Sequence, residues 1–367
     1  MTIWRALIVD KPLDATCDRE HPSTMSSTPS DSSGTVTMRD VARAAGVSRM
    51  TVSRALKKDS PISKETRERI LKVIRDMNYV PDQMAGSLST KRSGFVAVLV
   101  PSLNNLHFAE TVQALTEELE LIDQQILLGH TDYSLEREEH LVEDMLKRRP
   151  EAIVLSYDGH SERTKTLLSQ AHVPVIELWE RPEAPIGHTI GFSNTEAAAD
   201  MTRALIAKGY RNIAFLGEAD DAWTRGAARR RGYLAAMAEA GLAAHRVLKF
   251  GKPPLSIEDG AAAATRLLHD FPDTDCIFCV SDAPAFGVLS TLRAQGKSVP
   301  DDIGVAGFGN FEVSRFSTPT ISTVSVDPKT IGREAGKLIG ILLSSQEDVS
   351  RILVPVQVDL TFRDSTK

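Results

Sequence analysis

Two hydrophobic periods divide the chain. Between Thr37 and Met77, apolar side chains recur at helical spacing; from Val96 onward, short continuous apolar runs alternate with amphipathic stretches. The run Thr37–Lys57 predicts two short helices around a tight turn. Thr37 can cap the first, with Asp40 near its third position favouring the helix dipole. Val41, Ala44 and Ala45 form its small apolar face, and Gly46 breaks it. Ser48 caps the second helix, whose inward face is Val52, Ala55 and Leu56. A third helix follows Pro61, capped by Ser63. Its Ile70, Val73, Ile74 and Met77 fall at i, i+3, i+4 and i+7. Two helices joined by such a turn are a helix-turn-helix pattern.

The later pattern is of a different kind. Strand candidates are Val96–Val100, Ile126–Gly129, Ala152–Ser156, Val175–Leu178, Ile213–Gly217, Cys276–Val280 and Ile303–Phe308. Helix candidates between them include Ala109–Leu121, Leu135–Lys147, Thr195–Lys208, Arg229–Ala240, Gly260–Leu268 and Ala285–Gln295. Continuous apolar strands alternating with helices predict parallel sheets with right-handed crossovers. The series restarts near Asn194, which predicts two similar α/β lobes with a cleft between them. Segments about 321–326 and 351–363 are expected to cross between the lobes. The fold class is thus α/β: an all-α helix-turn-helix domain followed by a two-lobed domain. The expected limits are 1–36 for a disordered tail, 37–81 for the helical domain, 82–92 for a linker and 93–367 for the lobes. The first lobe takes about 93–190 and 324–345, the second about 191–320 and 350–363.

Charge sharpens this division. The 367 residues carry a formal charge of −6, which taken alone argues against a nucleic-acid partner. Yet residues 35–92 hold 13 Lys and Arg against 6 Asp and Glu, while residues 93–367 hold 27 against 38. A basic segment beside an acidic body points to nucleic acid on the basic side. Three cysteines make no disulfide framework, which fits a reducing compartment. No apolar run approaches the roughly 18 residues of a membrane span. The N-terminal Ile3–Trp4 and Ala6–Val9, interrupted by Arg5, are too short and charged for a signal-peptide core. A cytoplasmic location with no membrane partner is expected. Residues 18–37, rich in Ser, Thr, Asp and Pro, are expected to stay disordered.

The run DVARAAGVSRMTVSRAL, followed by ISKETRERILKVIRDMNYVPDQMAGSLST, closely resembles the N-terminal domain of the LacI/GalR family of bacterial repressors, and the likeness extends from about residue 37 to 363. It implies the two-lobed architecture of type I periplasmic sugar-binding proteins, a homodimer and a palindromic double-stranded operator. By this resemblance Arg49 and Met50 occupy the main base-reading positions. Arg49 can reach guanine O6 and N7, and Met50 a thymine methyl. Ser48, Thr51, Ser53 and Arg54 are further base or phosphate candidates, and Thr37 and Tyr79 join the expected DNA-facing set. Arg67, Lys57 and Lys58 suit phosphate positioning or plain solvated charge. The resemblance also makes Pro81–Thr90 a hinge helix that orders on DNA, with Leu88 wedged into the minor groove and Ala85 as its small neighbour. Gly86 weakens that helix, and a flexible linker is the alternative.

Ligands of open α/β sheets bind beyond the carboxyl ends of strands. The loop after the first strand offers Ser102, Asn105 and His107 as hydroxyl-reading types and Phe108 as a stacking surface; His160 follows the third strand. The resemblance places Arg229 at an effector-binding position, with Trp223 and Arg225 matching two more. Ser281 and Asp282 end a further strand. The alternative roles are helix capping for Ser102 and Asp282, and core packing for Trp223. After Phe308 the family often carries an Asp that binds sugar hydroxyls; here the residues are Gly309 and Asn310. Arginines gathered on one wall match carboxylates, so an acidic effector is expected. The stretches VLVPSLNNLHFAETVQAL, PVIELWE and GFSNTEAAADMTRALIAKGYRNIAFLG are similar to the gluconate-utilisation subgroup, which implies gluconate, 2-ketogluconate or a phosphorylated sugar acid. Cys276 and Cys279 sit in an apolar strand and read as core rather than redox or metal ligands. No phosphate loop, dinucleotide fingerprint, metalloprotease or nucleophile-elbow motif occurs. No enzyme activity, cofactor or metal is expected. The competing reading is a solute-binding or sugar-acid-metabolising protein on the same two lobes.

Overall fold

The computed structural model describes residues 36–56, 60–81, 93–156, 159–219, 224–345 and 349–367. The chain divides into two compact units, one ending at residue 82 and one beginning at 83.

The first unit packs three helices, α1 (Met38–Ala44), α2 (Arg49–Ala55) and α3 (Lys64–Asp76). Each begins at a polar cap. The Thr37 backbone N–H donates to Asp40 Oδ2 at 3.0 Å, and Ser48 and Ser63 accept from the N–H groups of Thr51 and Thr66. Gly46 takes φ of +64° in the turn. Val41, Ala42, Ala45, Val52, Ala55 and Ile70 are buried together, with Val73, Ile74, Met77 and Tyr79 packed around them. Ala44, expected inside, is exposed, and Ala42 takes its place. With alanines at 42, 44 and 45 all following Val41, the apolar period does not say which of them face in.

The second unit holds two six-stranded sheets. The first runs in the order β11-β5-β4-β3-β1-β2 and the second β12-β10-β9-β8-β6-β7. The first comprises β1 (Phe95–Val100), β2 (Gln125–His130), β3 (Ile153–Ser156), β4 (Val175–Leu178), β5 (His188–Gly191) and β11 (Leu353–Pro355). The second comprises β6 (Ile213–Gly217), β7 (Val247–Lys249), β8 (Cys276–Cys279), β9 (Gly304–Gly309), β10 (Ser322–Val326) and β12 (Val358–Thr361). Pairing is parallel, with Phe95 opposite Gln125 and Cys276 opposite Gly304, except that β12 runs antiparallel to β10. The first lobe carries α4 (Leu106–Glu120), α5 (Leu135–Lys147), α6 (Glu162–Gln170) and α12 (Pro328–Ser344). The second carries α7 (Asn194–Ala207), α8 (Arg225–Glu239), α9 (Ile257–Asp270), α10 (Asp282–Ala294) and the short α11 (Glu312–Phe316). One apolar cluster runs through both lobes, from Val98 and Ile176 to Phe278 and Val324.

The predicted central strands are present, as is the restart at Asn194. The late segments cross between the lobes as expected, but their lobe limits differ. Ser322–Val326 pairs with β9 in the second sheet, although residues from 324 were assigned to the first lobe. Leu353–Pro355 pairs with β5 in the first sheet, although 350–363 was assigned to the second. Short strands of mixed polarity carry no pattern that names their partner; tertiary pairing decides. The tail 1–35 lies outside the described residues.

Candidate functional site

On the first unit, the start of α2 exposes both polar and apolar side chains. Arg49, Met50 and Arg54 are exposed, Met50 to 64%, although Met is usually a core residue. Ser53 is half-buried beside them. The hydroxyls of Ser48 and Thr51 lie 2.9 Å apart and hold the helix start. Exposed Thr37 is tied to Asp40. Arg67 donates from Nη2 to the Ser60 carbonyl at 3.1 Å, and Tyr79 packs on the core. These last two do more for the fold than their expected DNA role required. Lys57, Ala85 and Leu88 lie outside the described residues.

In the second unit the carboxyl ends of the strands face a cleft with about 70 Å³ open to the centres of water-sized molecules. The first lobe supplies Asn105, His107, Phe108, Tyr133 and Trp179; the second supplies Glu218, Arg225, Arg229, Ser281 and Phe311. Local structure explains the placement. Asn105 accepts the His107 N–H at 3.0 Å and caps α4, so His107 and Phe108, expected in a loop, occupy its first turn. On the other wall α8 begins at Arg225, four residues earlier than expected. Arg225 and Arg229 therefore stand at i and i+4 on one helix face.

The two arginines lie against aromatic rings. The Arg225 guanidinium sits 4.9 Å from the Phe108 ring centre, and that of Arg229 sits 3.6 Å from Phe308. Arg229 donates from Nε to Asn194 Oδ1 at 2.9 Å and from Nη1 to the Val280 carbonyl at 2.7 Å. Burial and then Arg225 pull its pKa down to about 10, so it stays cationic at neutral pH. His107 stacks on Phe311 across the lobes at 3.9 Å and on Trp179 at 5.5 Å. Burial, with Arg229 and Arg225 adding, pulls its pKa down to about 3. The cleft therefore sets two guanidinium cations and a neutral imidazole beside the Glu218 carboxyl group. Gly309, at φ +124°, passes under this stack: a Cβ there would meet Phe311 at 2.7 Å and His107 at 2.9 Å.

Three expected effector residues do not line it. Ser102 is buried, and its Oγ accepts the Asn104 N–H. Asp282 is fully buried, accepting from the Phe311 N–H at 2.7 Å and the Thr323 hydroxyl at 2.6 Å. It ties the start of α10 to β10 and to the start of α11. His160 lies buried between Glu138 and Glu177, with Nδ1 2.7 Å from Glu138 Oε1. Trp223 lies outside the described residues. Asn310 is engaged by Ser325 and Arg363 rather than turned to the cleft. Arg230 is buried, donating to the Glu218 carbonyl, and Arg231 is exposed, so the arginine run contributes only Arg229 and Arg225. Reading the residues missed Glu218 and Trp179, which close β6 and β4. The rule that placed Ser281 at a strand end applied to them equally. Cys276 and Cys279 are fully buried in β8.

A helix-turn-helix unit together with two parallel α/β lobes around a cleft defines a DNA-binding regulator with a periplasmic-binding-protein-like sensor. The comparisons agree. Residues 37–82 match the family described as bacterial regulatory proteins, lacI family, and residues 202–366 match the periplasmic binding protein-like domain. The chain is 32% identical to the HTH-type transcriptional regulator GntR of Escherichia coli K12 over 295 residues, 80% of this chain and 88% of that protein. It is 32% identical to the regulator IdnR of the same organism over 305 residues, 83% and 91% of the two chains. A solved LacI family transcriptional regulator from Silicibacter pomeroyi shares 60% identity with a TM-score of 0.72, covering 75% of this chain and 99% of that one. The chain belongs to the LacI family of bacterial transcriptional regulators. Its relatives are regulators, not enzymes.

Proposed function

We propose that this regulator is a cytoplasmic homodimeric repressor whose operator affinity is set by a sugar acid, such as gluconate or 2-ketogluconate, held between the lobes. The observation that carries the reading is the pair Arg225 and Arg229, one helical turn apart on the cleft wall, beside an imidazole that stays neutral. Arginine forks bind carboxylates bidentately, and Arg229 keeps both Nη2 hydrogens and one on Nη1 once Asn194 and Val280 are satisfied. The resemblance to the gluconate-utilisation subgroup points the same way. On the DNA, Arg49 reads a guanine and Met50 a thymine methyl in the major groove, with Ser48, Thr51, Ser53 and Arg54 on neighbouring bases and phosphates. A palindromic operator mirrors the two-fold symmetry of the dimer, and Leu88 and Ala85 serve the hinge at its centre. Effector lowers DNA affinity to the extent that it prefers the arrangement unable to bind DNA. Isothermal titration of the full chain tests the effector class. Gluconate binding is expected; binding of neutral hexoses or purines without aldonates refutes it.

A further inference from the structure

Two arginines alone would accept any small carboxylate. The rest of the cleft decides which one, and one group there has no evident structural employment. Glu218 closes β6 and lines the cleft, and it is the only carboxylate among the described residues that do. It is 8% exposed, and its Oε2 has no hydrogen-bond partner among the described residues. Buried polar atoms are nearly always paired in proteins, so an unpaired carboxylate oxygen on a residue that lines the cleft calls for a donor from a ligand. The seat for this side chain is built into α8. A Cβ on Gly226 would fall 1.7 Å from Glu218 Oε2; glycine, a poor helix residue, stands where the carboxylate lies over the first helical turn. The indole Nε1 of Trp179, on the facing lobe, is likewise buried and has no hydrogen-bond partner among the described residues. Burial raises the Glu218 pKa, while Arg229, Arg230 and Arg225 work against that rise, so an anionic ligand group beside it would be disfavoured and a hydroxyl donor favoured.

We propose that Glu218 is the specificity-determining residue of the effector site: it accepts a hydrogen bond from an effector hydroxyl while the arginines hold the carboxylate. The effector class is thereby a monocarboxylic polyhydroxy acid. A plain carboxylate leaves Glu218 unpaired, and a dicarboxylate brings a second anion against it. This rests on the sugar-acid reading and narrows it.

The test is isothermal titration of the full chain with D-gluconate, D-glucarate, D-glucose and hexanoate, using wild type and Glu218→Gln, with melting temperatures as the folding control. Wild type is expected to prefer gluconate over both glucarate and hexanoate by at least about tenfold, in line with a hydrogen bond to a charged group. Glu218→Gln is expected to lose about tenfold to a hundredfold on gluconate and most of its preference over hexanoate. Glu218→Asp keeps the charge but withdraws it from the cleft, and it is expected to lose a similar factor; it decides the matter should Glu218→Gln not fold. A wild type that binds hexanoate or glucarate as tightly as gluconate overturns the proposal, as does a folded Glu218 variant that binds gluconate within twofold of wild type. Binding of glucose but not gluconate, lost in the Glu218 variants, refutes the sugar-acid reading and leaves the hydroxyl role standing. Binding of none of the four overturns both.

Discussion

Replacing Arg229 by alanine removes more than an effector contact. Its side chain ties the start of α7, through Asn194, to the end of β8, through the Val280 carbonyl, and covers the Phe308 ring. Hydrogen bonds to a charged group contribute about 1.5–3 kcal/mol each, and a cation–π contact about 0.5–2 kcal/mol. The site is half-buried, so water entering the truncated cleft recovers part of this. The lower end applies, and the loss is about 3 kcal/mol. At about 2–4 °C per kcal/mol for a large domain, the melting temperature should fall by roughly 6–12 °C. The same substitution should abolish the melting-temperature rise that gluconate produces in wild type, while specific DNA binding at 25 °C persists. Differential scanning fluorimetry with and without gluconate reads both effects. A variant that melts within about 2 °C of wild type and still responds to gluconate would refute the bridging and binding roles together.

Arg49→Ala should weaken specific operator binding about 5- to 150-fold, the range for losing one bidentate base contact, and leave gluconate affinity and melting temperature unchanged because Arg49 is exposed; fluorescence anisotropy on operator and scrambled DNA checks it. His160 gives a pH dependence. Burial opposes its charge, but Glu138 and Glu177 outweigh that and raise its pKa to about 9. A folded pKa above the unfolded value of about 6.5 means a stabilisation fully present below pH 6.5 and lost as pH rises to about 9. Wild type should therefore lose more stability across pH 6.5–9 than His160→Gln, as denaturant melts at each pH would show; parallel curves contradict it. Gly309→Ala forces a side chain at φ +124° into Phe311 and His107. It should destabilise the second unit by about 1–3 kcal/mol and weaken gluconate binding, since that stack joins the lobes; unchanged titration curves would speak against it.

Much of the architecture was legible because its signals are local. The helix-turn-helix shows a capping residue, a glycine turn and a helical apolar period. The central strands show continuous apolar runs with no competing helical reading. The edge strands β7 and β11 and the polar β5 were not legible, since their pairing depends on neighbours distant in sequence. At the cleft, Arg225 and Arg229 were found, but the helix start that puts them on one face was not. Asp282 was named because it ends a strand and Ser102 because it follows one, yet such positions also serve the backbone: Asp282 spends both oxygens on Thr323 and Phe311. Glu218 was passed over because it follows the apolar run Ile213–Gly217 and belongs to no motif; only its unpaired oxygen and the bare Gly226 opposite distinguish it.

The central claim is that a sugar acid in the cleft controls DNA affinity. The most direct measurement is a titration of D-gluconate into the complex of the full chain with the palindrome upstream of its neighbouring genes, followed by anisotropy at fixed salt. DNA affinity is predicted to fall and to level off at the gluconate concentration that saturates the protein by calorimetry. Operator affinity unchanged at saturating gluconate would contradict the account, and tighter binding would reverse the sign assigned to the effector.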